Sequence, residues 1–183
     1  VEINPSAIKI IAYMLSEGDM FRRRFSNSDR RLVAELDEAL SHHGLALKYV
    51  NKYDYDIIQI EFLAKPFGKA KGPGKNFTYG YWKHFCENYG FATERSRRKI
   101  IPEVIFKLHN EQIALFLNRY FAGDGTAYYK KIGKYQRPMI GYSSTSPKIL
   151  QGLKSLLLRF GIKTTLYKQY ELYVTTEEDM LKF

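Results

Sequence analysis

Two carboxylates, Glu17 and Asp124, each close an apolar run and each is followed at once by glycine: Ser16-Glu17-Gly18 and Gly123-Asp124-Gly125. A carboxylate at a helix C-terminus opposes the helix dipole, so selection for stability alone does not place one there twice. If the two runs are helices packed side by side, the small neighbours Ser16 and Gly123 let their backbones approach and bring the acids together. Adjacent carboxylates repel one another, and a divalent cation relieves that repulsion. Mg²⁺ or Mn²⁺ suits such a pair, because it takes a few carboxylates and fills its shell with water and phosphate oxygens. Zn²⁺ would call for a Cys/His cluster, which the sequence lacks. A two-acid, metal-binding centre of this kind points to phosphodiester hydrolysis.

The acids belong to an internal repeat. Ile10-Ile-Ala-Tyr-Met-Leu-Ser-Glu-Gly18 aligns with Leu117-Asn-Arg-Tyr-Phe-Ala-Gly-Asp-Gly125, at an offset of 107 (124 − 17). Phe25-Ser-Asn-Ser-Asp29 aligns with Tyr142-Ser-Ser-Thr-Ser146 at an offset of 117 (142 − 25), and this register continues through Leu36/Leu153, Leu40/Leu157 and Gly44/Gly161. The second copy therefore carries ten extra residues between Gly125 and Tyr142. Each copy reads as an apolar helix (5–17 and 111–123), strand-like stretches (19–26 and 126–143), a second helix (29–43 and 147–160) and two further strands (45–50 with 55–61, and 162–169 with 171–176). Asn4 and Asp29 suit helix caps, as does Ser146 with Pro147 at the first helical position. The reading is an α+β fold of duplicated αββαββ units with pseudo-twofold symmetry and two antiparallel sheets. The expected halves are 1–63 and 111–183, joined by a basic connector, 64–110. Within the connector, 65–74 is rich in Gly, Pro and Lys and reads as loop, and Tyr79–Tyr89 as a short helix.

The net charge of +10 and a pI near 9.5 point to a polyanionic partner. The single cysteine, Cys86, excludes an internal disulfide and suits a reducing compartment. Neither a signal peptide nor an apolar run of spanning length is visible. The first residue is Val rather than Met, which suits excision from a longer precursor or a trimmed chain.

The paired nonamers resemble the LAGLIDADG (dodecapeptide) motifs of homing endonucleases. The segment Ile101–Gly125 and the later blocks Ile140–Lys148 and Leu156–Ile162 resemble those flanking the second motif of intein-encoded members. The resemblance covers nearly the whole chain. It implies a monomeric, single-chain pseudo-dimer that cuts double-stranded DNA at a long site, with two saddle-shaped sheets across the major groove. It implies that Glu17 and Asp124 bind the catalytic metal and that the motif helices meet through Ala12, Tyr13, Ser16, Tyr120 and Gly123. It also implies a basic residue near each scissile phosphate; Lys168 and Lys65 are named for that role, although neither lies in an alignable motif. Arg119 departs from the pattern, which favours a small residue there. An intein-derived domain is preferred over a free-standing homologue, in the cytoplasm or nucleoid. An RNA maturase and a non-catalytic DNA-binding regulator are the competing functions on the same scaffold.

The candidate DNA contacts are basic and aromatic. Arg22 and Arg24 alternate along the first strand and should share a face. Lys130, Lys134 and Arg137 occupy the matching stretch of the second copy. Lys48, Lys52, Tyr53 and Tyr55, with Lys163, Lys168 and Tyr170, belong to the second strand pairs. His42 and His43 read as favourable charges at a helix end, and Cys86 as a packed small residue.

Overall fold

A computed structural model describes residues 1–60, 77–91 and 95–183, apart from the side chains of 77–79 and Ile132. The first copy comprises α1 (Pro5–Ser16), β1 (Gly18–Asp19), β2 (Arg24–Ser26), α2 (Arg30–Ser41), β3 (Leu45–Tyr49) and β4 (Asp54–Gln59). The connector supplies α3 (Phe77–Asn88), a 3-10 turn (Ser96–Arg98) and α4 (Glu103–Phe106). The second copy comprises α5 (Asn110–Asp124), β5 (Gly125–Ile132), β6 (Tyr135–Ser143), α6 (Pro147–Leu158), β7 (Thr164–Tyr167) and β8 (Glu171–Val174), with α7 (Glu177–Lys182) at the end. The two four-stranded antiparallel sheets have equivalent orders, β1-β2-β4-β3 and β5-β6-β8-β7. Duplicated αββαββ architecture is thus present in both halves.

Local signals explain most boundaries. Asn4 accepts from Ser6 N at 2.9 Å, with Pro5 in the first turn of α1; Asp29 accepts from Arg31 N at 2.8 Å at the start of α2. Gly44 and Gly161 both sit at φ +69° just past α2 and α6, where a side chain would be strained. Ser146 precedes α6 without capping it through its side chain; its hydroxyl donates instead to Lys99 O at 2.7 Å.

Nearly every side chain of α1 is buried, so this helix is central rather than amphipathic. It packs along α5, with Gly123 set directly against Ser16. A Cβ on Gly123 would stand 2.4 Å from Ser16 Oγ and 3.1 Å from Glu17 Cγ. Glu35 on α2 fastens the same junction. It accepts the Tyr13 hydroxyl, Lys9 Nζ at 2.9 Å and Arg119 Nε at 2.8 Å. Burial would raise the Glu35 carboxyl, but these three donors outweigh it and hold it at about 2. Arg119, the departure from the motif, thereby ties the second copy to the first.

Gly123→Ala should lower the urea midpoint by the equivalent of about 1–3 kcal/mol, the usual cost of forcing a methyl into a filled contact. Removing the clashing hydroxymethyl group in Ser16→Gly/Gly123→Ala should recover part of that loss. An unchanged midpoint in the single variant would mean that the helices are not in this contact.

The connector is more than a tether. Trp82, Phe85, Cys86, Phe91, Ile101, Ile105 and Leu108 are all buried in the common core. Trp82 stacks on Phe85 at 5.6 Å, and His43 meets the Phe85 ring edge-on at 5.1 Å. Burial, with the nearby charge of His42, lowers the His43 pKa, so the ring favours its neutral form as a packing and hydrogen-bonding group, 2.9 Å from Ser6 Oγ. Cys86 is buried, and burial raises its thiol to about 12, which leaves it inert. No described helix is long and apolar enough to cross a membrane.

Candidate active site

The two acids hold unequal positions at the helix ends. Asp124 is the last residue of α5, whereas Glu17 lies just beyond α1 and closes it by donating its backbone N–H to Tyr13 O at 2.9 Å. Gly123, the neighbour of Asp124, packs against Ser16 and Glu17, which puts the two acids near enough for the Asp124 charge to act on Glu17. Asn27 Nδ2 donates to Glu17 Oε1 at 3.2 Å and fixes that carboxylate's direction. Glu17 is pushed up to about 7 by burial and by the Asp124 charge, with Lys99 drawing it back. Asp124 is exposed yet also raised, by what desolvation it suffers, and Lys99 again opposes. Each acid is therefore a carboxylate held against a cost that a bound cation would remove.

Lys99 is the functional residue that the motifs did not disclose. It is 8% exposed, and its ammonium donates to Met14 O at 3.2 Å, Leu15 O at 2.9 Å and Gly18 O at 2.6 Å. Helix α1 ends with carbonyls that have no intrahelical partner, and a cation is the favourable group there. Lys99 thus caps α1 from the connector and places a positive charge beside both acids. Burial lowers its pKa to about 8, while Asp19, Asp124 and Glu17 pull it up, so the cationic form predominates near neutrality. Its three N–H bonds are all spent on carbonyls, which makes it a positioning and electrostatic group in this arrangement. The sequence did show a basic run, Thr93–Lys99, ahead of Ile-Ile-Pro102, but nothing local distinguished its last lysine.

The remaining sequence-named residues are dispersed. Ala12, Tyr13 and Tyr120 are fully buried, and Ser16 meets Gly123 directly. Lys65 lies outside the described residues. Lys168 is in the β7–β8 turn at φ +48°, its Nζ 5.2 Å from the Tyr167 ring centroid, and Tyr170 is exposed beside it. Lys52 and exposed Tyr53 form the equivalent β3–β4 turn. Lys163 is exposed ahead of β7.

Arg22 and Arg24 do not alternate along one strand. Residues 21–23 form a turn, with Arg23 at φ +58°, so Arg22 lies on the turn and only Arg24 enters β2. Arg24 Nε is bound to Asp56 Oδ1 at 2.7 Å. Tyr55 pairs with buried Phe25 and packs against the core. Lys48 lies opposite Asp56.

The Glu17–Asp124 pair suits a hard divalent ion that also takes water and phosphate oxygens. Among the described residues no group of three or more His, Cys, Asp or Glu assembles, so the protein itself would supply only part of a coordination shell.

Residues 111–183 match the family model described as a LAGLIDADG-like domain. The replicative DNA helicase DnaB of Rhodothermus marinus is 32% identical over 120 residues, 61% of this chain and 12% of the helicase. Its Synechocystis counterpart is 29% identical over 108 residues, 54% of this chain and 12% of that protein. The isomerizing glutamine–fructose-6-phosphate aminotransferase of Methanocaldococcus jannaschii is 27% identical over 165 residues, 86% of this chain and 13% of the enzyme. The chain thus spans about an eighth of the length of these curated relatives. Among solved structures, the LAGLIDADG homing endonuclease I-GzeII in complex with its DNA target aligns at a TM-score of 0.47 and 15% identity, covering 98% of this chain and 81% of that one. The chain carries a LAGLIDADG-like domain at residues 111–183, and its first half repeats that αββαββ unit with an equivalent sheet order.

Proposed function

We propose that this protein is a homing endonuclease that hydrolyses both strands of a long DNA site with the help of Mg²⁺ or Mn²⁺. The carrying observation is the placement of Glu17 and Asp124 at the adjoining ends of two packed helices, with both carboxyls raised and the Asp124 charge acting on Glu17. Glu17 and Asp124 would hold the metal, whose chemistry when bound is to activate water and stabilise the leaving oxygen. Asn27 orients Glu17. Lys99 holds the end of α1 in place and offsets the negative charge of the pair. The net charge of +10 supports a nucleic-acid partner.

The relatives favour an inserted, transferable element. A helicase and an aminotransferase perform unrelated chemistry, yet each shares a segment of about an eighth of its length with this chain. A segment common to both belongs to neither activity. An intein-derived endonuclease fits that distribution.

Incubation with a plasmid library carrying randomised inserts should give linear product in Mg²⁺ or Mn²⁺. Ca²⁺ should support binding without efficient cutting, and excess chelator should stop cleavage. Full activity in chelator would refute the metal-dependent site. Metal-supplemented protein that binds DNA but never cuts would favour the regulator, and promotion of intron splicing instead would favour the maturase.

A further inference from the structure

The two halves offer DNA very different surfaces. In the first half, β1 and β2 are two and three residues long, and in the second half β5 and β6 are eight and nine. β6 pairs with β8 only from Ile140 to Ser143, while β5 is an edge strand. From Tyr128↔Met139 to Ile132↔Tyr135 the two strands therefore have only each other. This two-stranded arm projects past the sheet, and its described residues from Tyr128 to Pro138 are exposed. Tyr129 is 72% exposed and Tyr135 78%.

Charge sharpens the contrast. Residues 125–143 hold Lys130, Lys131, Lys134 and Arg137 and no Asp or Glu. Among the described residues none of these four is in an ion pair. In the first half Arg22 bridges Asp19 at 3.7 Å, and Arg24 is bound between Asp56 at 2.7 Å and Asp54 at 3.8 Å. Arg22 and Arg24, in the first strand pair and its turn, are thus engaged by that half's own carboxylates.

The arm also has the right form. Paired residues share a face, so Lys130 and Arg137 lie together with Tyr128 and Tyr135, while Tyr129, Lys131 and Gln136 line the opposite face. Five residue pairs at roughly 3.3 Å each give about 16 Å, or about five base pairs. The major groove of B-form DNA admits a two-stranded ribbon of this kind, and Arg, Lys and Gln can read its base edges.

Resting on the endonuclease reading, we propose that the protein grips its target unequally. The arm Tyr128–Met139 occupies the major groove on one side of the cleavage point and supplies most of the phosphate neutralisation and sequence discrimination, while the first-half sheet contributes little of either.

The test is fluorescence anisotropy with a labelled random-sequence DNA duplex over a range of KCl. It compares wild type with Lys130→Ala/Lys131→Ala/Lys134→Ala/Arg137→Ala and with Arg22→Ala/Arg24→Ala/Lys48→Ala/Lys52→Ala. The arm variant should lose on the order of a hundredfold in affinity at low salt, and its slope of log K against log salt should become shallower by about 3–4; the first-half variant should lose under about tenfold. A second variant, with residues 129–138 replaced by an Asn-Gly turn, should reproduce the arm loss while keeping the wild-type melting temperature. Selection from a randomised duplex pool should enrich one contiguous block of base pairs with wild type and none with the shortened arm. Equal losses in the two four-site variants, or unchanged selection after shortening, would overturn the unequal grip. Equal competition by double-stranded RNA, whose deep, narrow major groove excludes a ribbon, would overturn the groove placement. Failure of wild type to bind any duplex would instead sink the endonuclease reading on which the inference rests.

Discussion

Glu17→Gln and Asp124→Asn will each abolish double-strand cleavage while DNA binding survives. Each substitution keeps the side-chain shape and removes a charged metal ligand, so water activation and stabilisation of the leaving oxygen fail together. The expected loss of rate is on the order of a hundredfold or more, the scale of single electrostatic groups at reacting centres. Binding persists because the acids only repel phosphate. The assay is supercoiled plasmid bearing the selected site, resolved into nicked and linear forms, with a parallel gel shift. Wild-type linearisation by both variants would show that the active site lies elsewhere.

The same substitution has a readout that needs neither DNA nor metal. Glu17 has a folded pKa of about 7 against an ordinary 4.5. Between those values the folded state holds a proton that the unfolded state has released, so this group's contribution to stability is present below about 4.5 and is lost as pH rises through 7. Glu17→Gln removes the loss. In chelator its melting temperature should match wild type near the bottom of that window and exceed it progressively toward the top. A constant difference across the window would mean that Glu17 is not held against a cost.

The second large effect belongs to Lys99. Lys99→Met keeps the length and burial of the side chain but leaves Met14 O, Leu15 O and Gly18 O without their donor. Stranded buried acceptors and the loss of a buried, paired cation should together cost about 3–5 kcal/mol. In a chain of this size that is a fall of roughly 10 °C in melting temperature. Cleavage should fall with it, since the end of α1 positions Glu17. Wild type has a further signature. Because the folded pKa of Lys99 is lowered to about 8, stability should rise with pH from about 8 toward the unfolded lysine value of 10.5. That rise should vanish in Lys99→Met, whereas a variant that was merely less stable would retain it.

The duplication was legible because it is written in residue types that have few substitutes. Gly18 and Gly125, the acids before them, and Gly44 and Gly161 at left-handed helix ends each answer to a local backbone or chemical demand. What stayed hidden depends on tertiary placement. Lys99 acts through backbone carbonyls more than eighty positions away in sequence, and no spacing rule encodes such a contact. Arg22 and Arg24 misled because period-two alternation assumes a strand, and the chain turns at residues 21–23 instead. Trp82, Phe85 and Cys86 sit at helical spacing inside the expected short helix, yet their burial follows from a partner surface on the first copy that composition could not locate.

The packing of the connector decides where this molecule can be divided. A seam drawn after the last strand of the first copy would strip Trp82, Phe85, Phe91 and Ile105 from the core, and the severed fragment would expose the surfaces that those residues cover. A chimera that grafts a foreign second half should therefore be joined near Leu108–Asn110, so that α3 and α4 travel with α1. Even that junction crosses bonds that must be matched, among them Arg119 to Glu35 and Gln112 to Ile3. Ser146 of the incoming half donates to the carbonyl of Lys99, the residue whose ammonium closes α1, so a donor half without a hydroxyl at that position would leave the shared hinge of the two modules one contact short.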